Sequence, residues 1–238
     1  MEALPQALLL SLVAGATIPL GGLLARFERI HPDWLEAEFR HSVIAFGGGA
    51  LLAAVALVLI PEGSARLPSA VTLAAFVAGG VVFMLADRAL PRRGGAGAQL
   101  MAMLLDFIPE AIALGATLAA GQGGGALLAL LIALQNGPEG FNAFREMRQG
   151  TRLSARRLLW VFTALALLGP LSAAIGAVWL ADAHRLLGAI MVFAAGGILY
   201  LIFQDIAPQA RLRRHWGPPL GAVAGFTLGL AGHLMTGG

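Results

Sequence analysis

The chain is 238 residues long, 58% hydrophobic and 12% charged, whereas a water-soluble domain needs roughly 25% charged residues to cover its surface. That balance, with a mean hydropathy of +0.80, excludes a soluble globular domain and points to a chain that lives in lipid. Cysteine is absent, which excludes disulfides, thiolate metal sites and thiol redox chemistry.

Charge clusters and Gly/Pro-rich breaks separate eight apolar blocks, at about 3–25, 42–61, 68–86, 98–120, 126–144, 158–181, 186–207 and 217–236. Each is near the ~20 residues that cross a ~30 Å hydrocarbon core as helix, which excludes a barrel of short alternating strands. The pattern predicts an all-α membrane protein, one transmembrane domain over 1–238. The first block has no basic segment before it and is longer than a signal-peptide core, so it is expected to stay as a span. All 16 basic residues are arginine. Fourteen fall in four alternate connections: Arg26, Arg29 and Arg40 after block one, Arg88, Arg92 and Arg93 after block three, five between Arg145 and Arg157 after block five, and Arg211, Arg213 and Arg214 after block seven. Only Arg66 and Arg185 lie on the other side. The positive-inside rule makes the arginine-rich side cytoplasmic and places both termini outside, which requires an even number of spans. The pI near 10.9 is therefore a topology signal, and no nucleic-acid partner is expected.

Two internal matches stand out. Phe46–Gly63 aligns with Phe193–Ala210 at an offset of 147, with Phe46/Phe193, Gly49/Gly196, Leu52/Leu199 and Pro61/Pro208 coinciding. Spans two and seven run in opposite directions, so the repeat is inverted, a common build among secondary transporters. Spans four and five, joined by the short glycine turn 121–125, carry Asp106-Phe107-Ile108-Pro109-Glu110 and Gln135-Asn136-Gly137-Pro138-Glu139. Each has a polar residue, a proline three later and a glutamate four later. The i, i+4 spacing stacks Asp106 with Glu110 and Gln135 with Glu139 on one face of each helix. Each proline lacks a donor, freeing the carbonyls of Leu105 and Leu134. An acid near mid-membrane costs roughly 2.5–3.5 kcal/mol, and here three have no basic residue in a neighbouring span. A bound divalent cation balances them, with shared protons as the substitute.

These residues resemble the ZIP family of divalent metal transporters, more closely its bacterial GufA-like and ZupT-like branches, over the whole chain. The family's fourth span reads His-Asn-x-Pro-Glu-Gly and its fifth His/Gln-Asn/Asp-x-Pro-Glu-Gly; Pro109, Glu110, Gln135, Asn136, Pro138, Glu139 and Gly140 fit as they stand. The Pro61-Glu62-Gly63 ending of span two and the start of span seven are also family-like. The resemblance implies eight spans in a 3+2+3 inverted arrangement with both termini extracytoplasmic, a multi-pass protein of the bacterial inner membrane, and a metal site between spans four and five formed by Asp106, Glu110, Gln135, Asn136 and Glu139. The departures are Asp106-Phe107 for His-Asn, Ala111 for glycine, and Leu168-Gly169-Pro170 where many relatives place a Glu-Pro pair in span six. Phe107 and Gly169 offer no side-chain ligand, so one ion is expected instead of two. Gln204, Asp205 and Gln209 near the end of span seven are candidate exit ligands. His31, His41, His184 and His215 sit at span ends or in loops, and His233 within span eight is read as a packing residue.

The expected function is transport of a divalent cation, with zinc, iron(II), manganese or cadmium as the substrate, by alternating access resembling the elevator-like motion proposed for the family. No catalytic cofactor and no enzymatic activity are expected. Hard oxygen donors favour manganese, iron(II), magnesium or a permissive zinc site over a thiophilic metal. The alternative is a degenerate homologue that senses metal or serves as a scaffold without transport. An intramembrane hydrolase using Asp106 and Glu110 lacks His-Glu-x-x-His and any nucleophile–base arrangement. The partners expected are the ion and the lipid bilayer, with a homodimer left open.

Overall fold

The computed structural model describes residues 3–27, 33–89, 96–121, 124–211 and 216–235. Arg29, Arg92, Arg93, Arg213, Arg214, His31 and His215 lie outside the described residues. Within them the regular structure is helical, with no strand, and these residues fall into eight helical stretches, three of which include a π-turn. These are α1 (Ala3–Phe27), α2 (33–64), α3 (Ser69–Ala89), α4 (Ala96–Ala119), α5 (Gly125–Gly150), α6 (155–180), α7 (184–210) and α8 (Gly217–Met235). The helices overrun several of the predicted blocks. Thus α2 begins nine residues before position 42 and α5 runs six beyond 144. An apolar block marks only the stretch suited to lipid, whereas helical hydrogen bonding continues into polar flanks until a cap or breaker ends it. Thr151 ends α5 with an extended backbone, and Ser154 caps α6 by accepting from the Arg157 amide. Gly121, at φ 69°, turns the chain from α4 toward α5 in a conformation that favours glycine.

Among the described residues, five helices are long and apolar enough to cross a membrane: Ala3–Phe27, Ala37–Ser64, Ser69–Ala89, Ala155–Leu180 and His184–Ala210. In α3 only 11% of the most apolar window is buried inside the protein, and outward-facing residues such as Leu73, Val77, Trp179 and Phe203 are exposed. A chain that buries so little of its apolar surface needs an apolar solvent around it.

The matched stretches of α2 and α7 share a backbone feature. Each widens into a single π-turn, Val55–Leu59 in α2 and Ile202–Ile206 in α7, just before Pro61 and Pro208. The offset is again 147. Proline withholds a donor and its ring crowds the preceding turn, and a π-turn relieves both by adding a residue to that turn.

Helix pairing is equally regular. A Cβ on Gly49 would strike the Ala222 carbonyl oxygen of α8, and one on Gly225 that of Phe46. The same reciprocal contact joins α3 to α7, where Gly79 lies on the Phe193 carbonyl and Gly196 on that of Phe76. A second pair of crossings joins α1 to α5 (Gly21 on Gly137, Gly140 on Ile18) and α4 to α6 (Gly115 on Ala173, Gly176 on Ile112). At all four crossings backbone touches backbone, which only glycine permits. The crossings thus tie α2 to α8 and α3 to α7, and separately α1 to α5 and α4 to α6. Gly63 of α2 and Gly188 of α7 also lie against each other's carbonyls, whereas α2 meets α5 at Gly47 through the Pro138 side chain.

Candidate metal centre

Both hairpin helices run unbroken through their prolines, Pro109 in α4 and Pro138 in α5. The i, i+4 pairs therefore keep the helical spacing expected of them and share one face. Asp106 and Glu110 are buried, at 4% and 0% exposure, and Gln135 is fully buried opposite them. The Gln135 amide bridges the two acids: Nε2 donates to Glu110 Oε2 at 2.5 Å and reaches Asp106 Oδ2 at 3.4 Å. Glu139, one turn along α5, is partly exposed and lies within electrostatic reach of Asp106.

Three acceptor oxygens in this space have no partner: Asp106 Oδ1, Glu110 Oε1 and Gln135 Oε1. Stranded buried acceptors are costly, at about 1–3 kcal/mol each. The charges that bear on the acids are one another's, and among the described residues no basic side chain offsets them. The donor set suits a hard or borderline divalent ion. Among the described residues, however, no three acid or histidine side chains converge as a ready cage. The amide nitrogen of Gln135 stands between the two acids.

Asn136, the fifth predicted ligand, points elsewhere. Its Nδ2 donates to the Ala14 carbonyl of α1 at 3.2 Å, so its amide ties α5 to α1 beside the Gly21 and Gly140 crossing. Phe107 is 2% exposed, and its ring fills a gap between α1 and α6. A Cβ on Gly169 would lie 2.6 Å from Phe107 Cζ, and one on Gly15 3.0 Å from the same atom. Phe107 and Gly169, the two positions without a side-chain ligand, are thus one packing unit, a large residue on α4 seated against a glycine on α6.

Sequence reasoning missed the continuation of the polar face. Gln135, Glu139, Asn142 and Glu146 follow at i, i+4, i+7 and i+11, a single stripe to the end of α5. Asn142 Nδ2 donates to Glu146 Oε1 at 3.1 Å and to Gln209 Oε1 of α7 at 3.2 Å. Asp205 lies within electrostatic reach of Asp87 and Glu146, and Asp87 accepts from the Tyr200 hydroxyl at 2.9 Å. On α4 the stripe Asp106, Glu110 and Thr117 runs the opposite way, and the Thr117 hydroxyl is buried without a partner. The helical periodicity was the signal, legible once the face was followed past the Pro-Glu motif.

No protein-family model matches the chain, and no curated protein matches it as a relative. The fold and site define an all-helical protein with helices fit to cross a membrane and a buried carboxylate–amide cluster between its two central helices.

Proposed function

We propose that the protein is a divalent cation transporter of the ZIP type, with eight spans and both termini extracytoplasmic. The observation that carries this reading is the convergence of Asp106, Glu110 and Gln135, beside Glu139, around three buried acceptor oxygens with no donor. Acids held in this way are balanced by a bound cation or by shared protons, and the donor set suits a cation. The α5 stripe supplies a polar approach from one side. By the arginine distribution α4 runs outward, so Thr117 lies on the extracellular side, while Asn142 and Glu146 lie toward the cytoplasm.

The glycine crossings support alternating access by two groups of helices. Backbone contacts tie α1 to α5 and α4 to α6, and the hairpin joins these pairs; α2, α3, α7 and α8 are bound among themselves. Between the groups, Pro138 meets Gly47 through its side chain and Asn142 meets Gln209 side chain to side chain. Side-chain contacts can part and re-form, whereas backbone crossings move as rigid units. In this reading the ion travels with the first group and a single ion is bound, because the Phe107 ring fills the space beside Gly169.

Uptake of manganese(II), zinc or cadmium into proteoliposomes tests the function, with the expected result a saturable influx that is lost in Glu110→Gln. Absence of influx, with ion binding retained, would favour the second reading, a sensor or scaffold without transport; the bridging amide in the heart of the site is the observation on its side. Orientation is tested with Gly95→Cys and Gly123→Cys, both outside the described residues, in a chain free of other cysteines. The first should label only from the cytoplasm and the second only from outside.

A further inference from the structure

Resting on the transport reading for its second half, we infer that Gln135 is a tethered substitute for the cation: in the ion-free protein its amide NH2 bridges Asp106 and Glu110, and ion entry turns the amide over so that Oε1 becomes a ligand. An amide has donors at one end and an acceptor at the other, while ionised carboxylates only accept. A glutamine between two ionised acids therefore presents nitrogen to both. That is the observed arrangement, with Nε2 on Glu110 Oε2 and Asp106 Oδ2. The cost of the arrangement is visible at the other ends of the same groups, since Gln135 Oε1, Asp106 Oδ1 and Glu110 Oε1 are all buried without a donor.

A divalent ion reverses the situation. It takes the carboxylate oxygens that the NH2 was holding, and it provides the positive partner that the three stranded oxygens lack. For Oε1 to join them the amide rotates by half a turn about its terminal bond, a change that needs no backbone movement. The same side chain is thus a donor in one state and a ligand in the other. The ion-free site is kept from collapsing into like-charge repulsion, and an ion must displace two hydrogen bonds to enter, which holds its affinity below that of an open cage and aids release.

The test uses the full chain in detergent, first stripped of metal and then with cadmium(II) as the probe. Methionine matches glutamine in length but has no N–H donor and no hard oxygen, so Gln135→Met separates the two roles. If the amide bridges the acids, the metal-free Gln135→Met protein unfolds about 5 °C or more below the parent. If Gln135 is only a ligand, the metal-free proteins unfold alike and the proposal fails. Because methionine also changes packing, a second measurement is made on the parent labelled with 15N-glutamine. The side-chain NH2 signal that vanishes in Gln135→Met should lie downfield of the other glutamines and move upfield as cadmium(II) is added. A signal among the solvent-exposed glutamines overturns the bridge, and a signal unmoved by bound cadmium overturns the rotation. If no ion binds at all, the transport reading fails, while the bridge still stands or falls on the metal-free unfolding temperatures and signal position.

Discussion

The two central helices carry the same polar-x-x-Pro-Glu spelling yet end in different surroundings. On α4 the residue after the first polar position is Phe107, whose ring is sealed against Gly15 and Gly169, and Glu110 is fully buried. On α5 the equivalent residue is Asn136, bonded to the Ala14 carbonyl, and Glu139 is partly exposed beside a stripe that continues to Asn142 and Glu146. One half closes the space beside the site with hydrocarbon; the other leads out of it through polar groups. A repeated motif supplies the polar groups of the proposed site, and the neighbours of each copy decide whether it acts as wall or path.

The most severe way to break this difference is to force a ligand into the sealed half. Gly169→Glu alone should give no monodisperse folded protein by size-exclusion chromatography, since even a Cβ there stands 2.6 Å from Phe107 Cζ and 2.9 Å from the Ser11 carbonyl oxygen, and overpacking is joined by a buried charge. Adding Phe107→Asn should restore folding and yield a second anomalous peak within a few ångström of the first in manganese- or cadmium-soaked crystals. Two peaks in the parent would show that the ring does not exclude a second ion.

The next largest effect falls on the ligands themselves. Glu110→Gln and Glu139→Gln should each lower divalent ion uptake at least about 100-fold, more than is typical for loss of a residue that only supports a ligand. A variant that keeps uptake within a few-fold of the parent would remove its carboxylate from the site.

Asn136→Leu sharpens the contrast between the two halves. It deletes the bond from α5 to α1, worth about 1 kcal/mol and so roughly 2–4 °C in Tm for a chain of this size. Cadmium affinity by isothermal titration should stay within about twofold of the parent. A loss of tenfold or more would make Asn136 a ligand, as the motif implied, and would mean that its bond to Ala14 is given up when the ion enters.

The smallest effect is at the mouth of the polar stripe. Partial burial holds the Glu146 carboxyl above its ordinary range, outweighing the hydrogen bond from Asn142 and the Arg40 charge, which both act downward. A raised acid binds its proton more tightly in the native state. Stability therefore falls as pH rises from the ordinary value through the raised one, and stays lower above it. Glu146→Gln keeps the acceptor for Asn142 and removes the titration. Thermal unfolding should show a flatter fall of Tm above pH 5 and a gain of about 1–2 °C at neutral pH. An unchanged slope would mean that another group sets it.

Much of this protein was legible in its sequence. Apolar blocks of about 20 residues favour helices in lipid, because no other open structure satisfies the backbone there; helices lie over those blocks, and among the described residues five are long and apolar enough to cross a membrane. The offset of 147 between Phe46 and Phe193 was readable as well, and it returns as two π-turns before Pro61 and Pro208. The stacking of Asp106 with Glu110, and of Gln135 with Glu139, follows from helical periodicity alone.

Other features were decided only when the helices packed. That the Gln135 amide reaches both Asp106 and Glu110 depends on the distance and rotation between α4 and α5, which no single-helix pattern contains. Asn136 shares a motif with the ligands but faces α1, because the crossing of Gly21 with Gly140 brings the Ala14 carbonyl within its reach. Phe107 and Gly169 read as two separate losses of a ligand, and the tertiary structure joins them as one ring in one gap. Sequence spacing sets which face of a helix a side chain occupies; what that face meets is set by contacts between residues far apart in the chain.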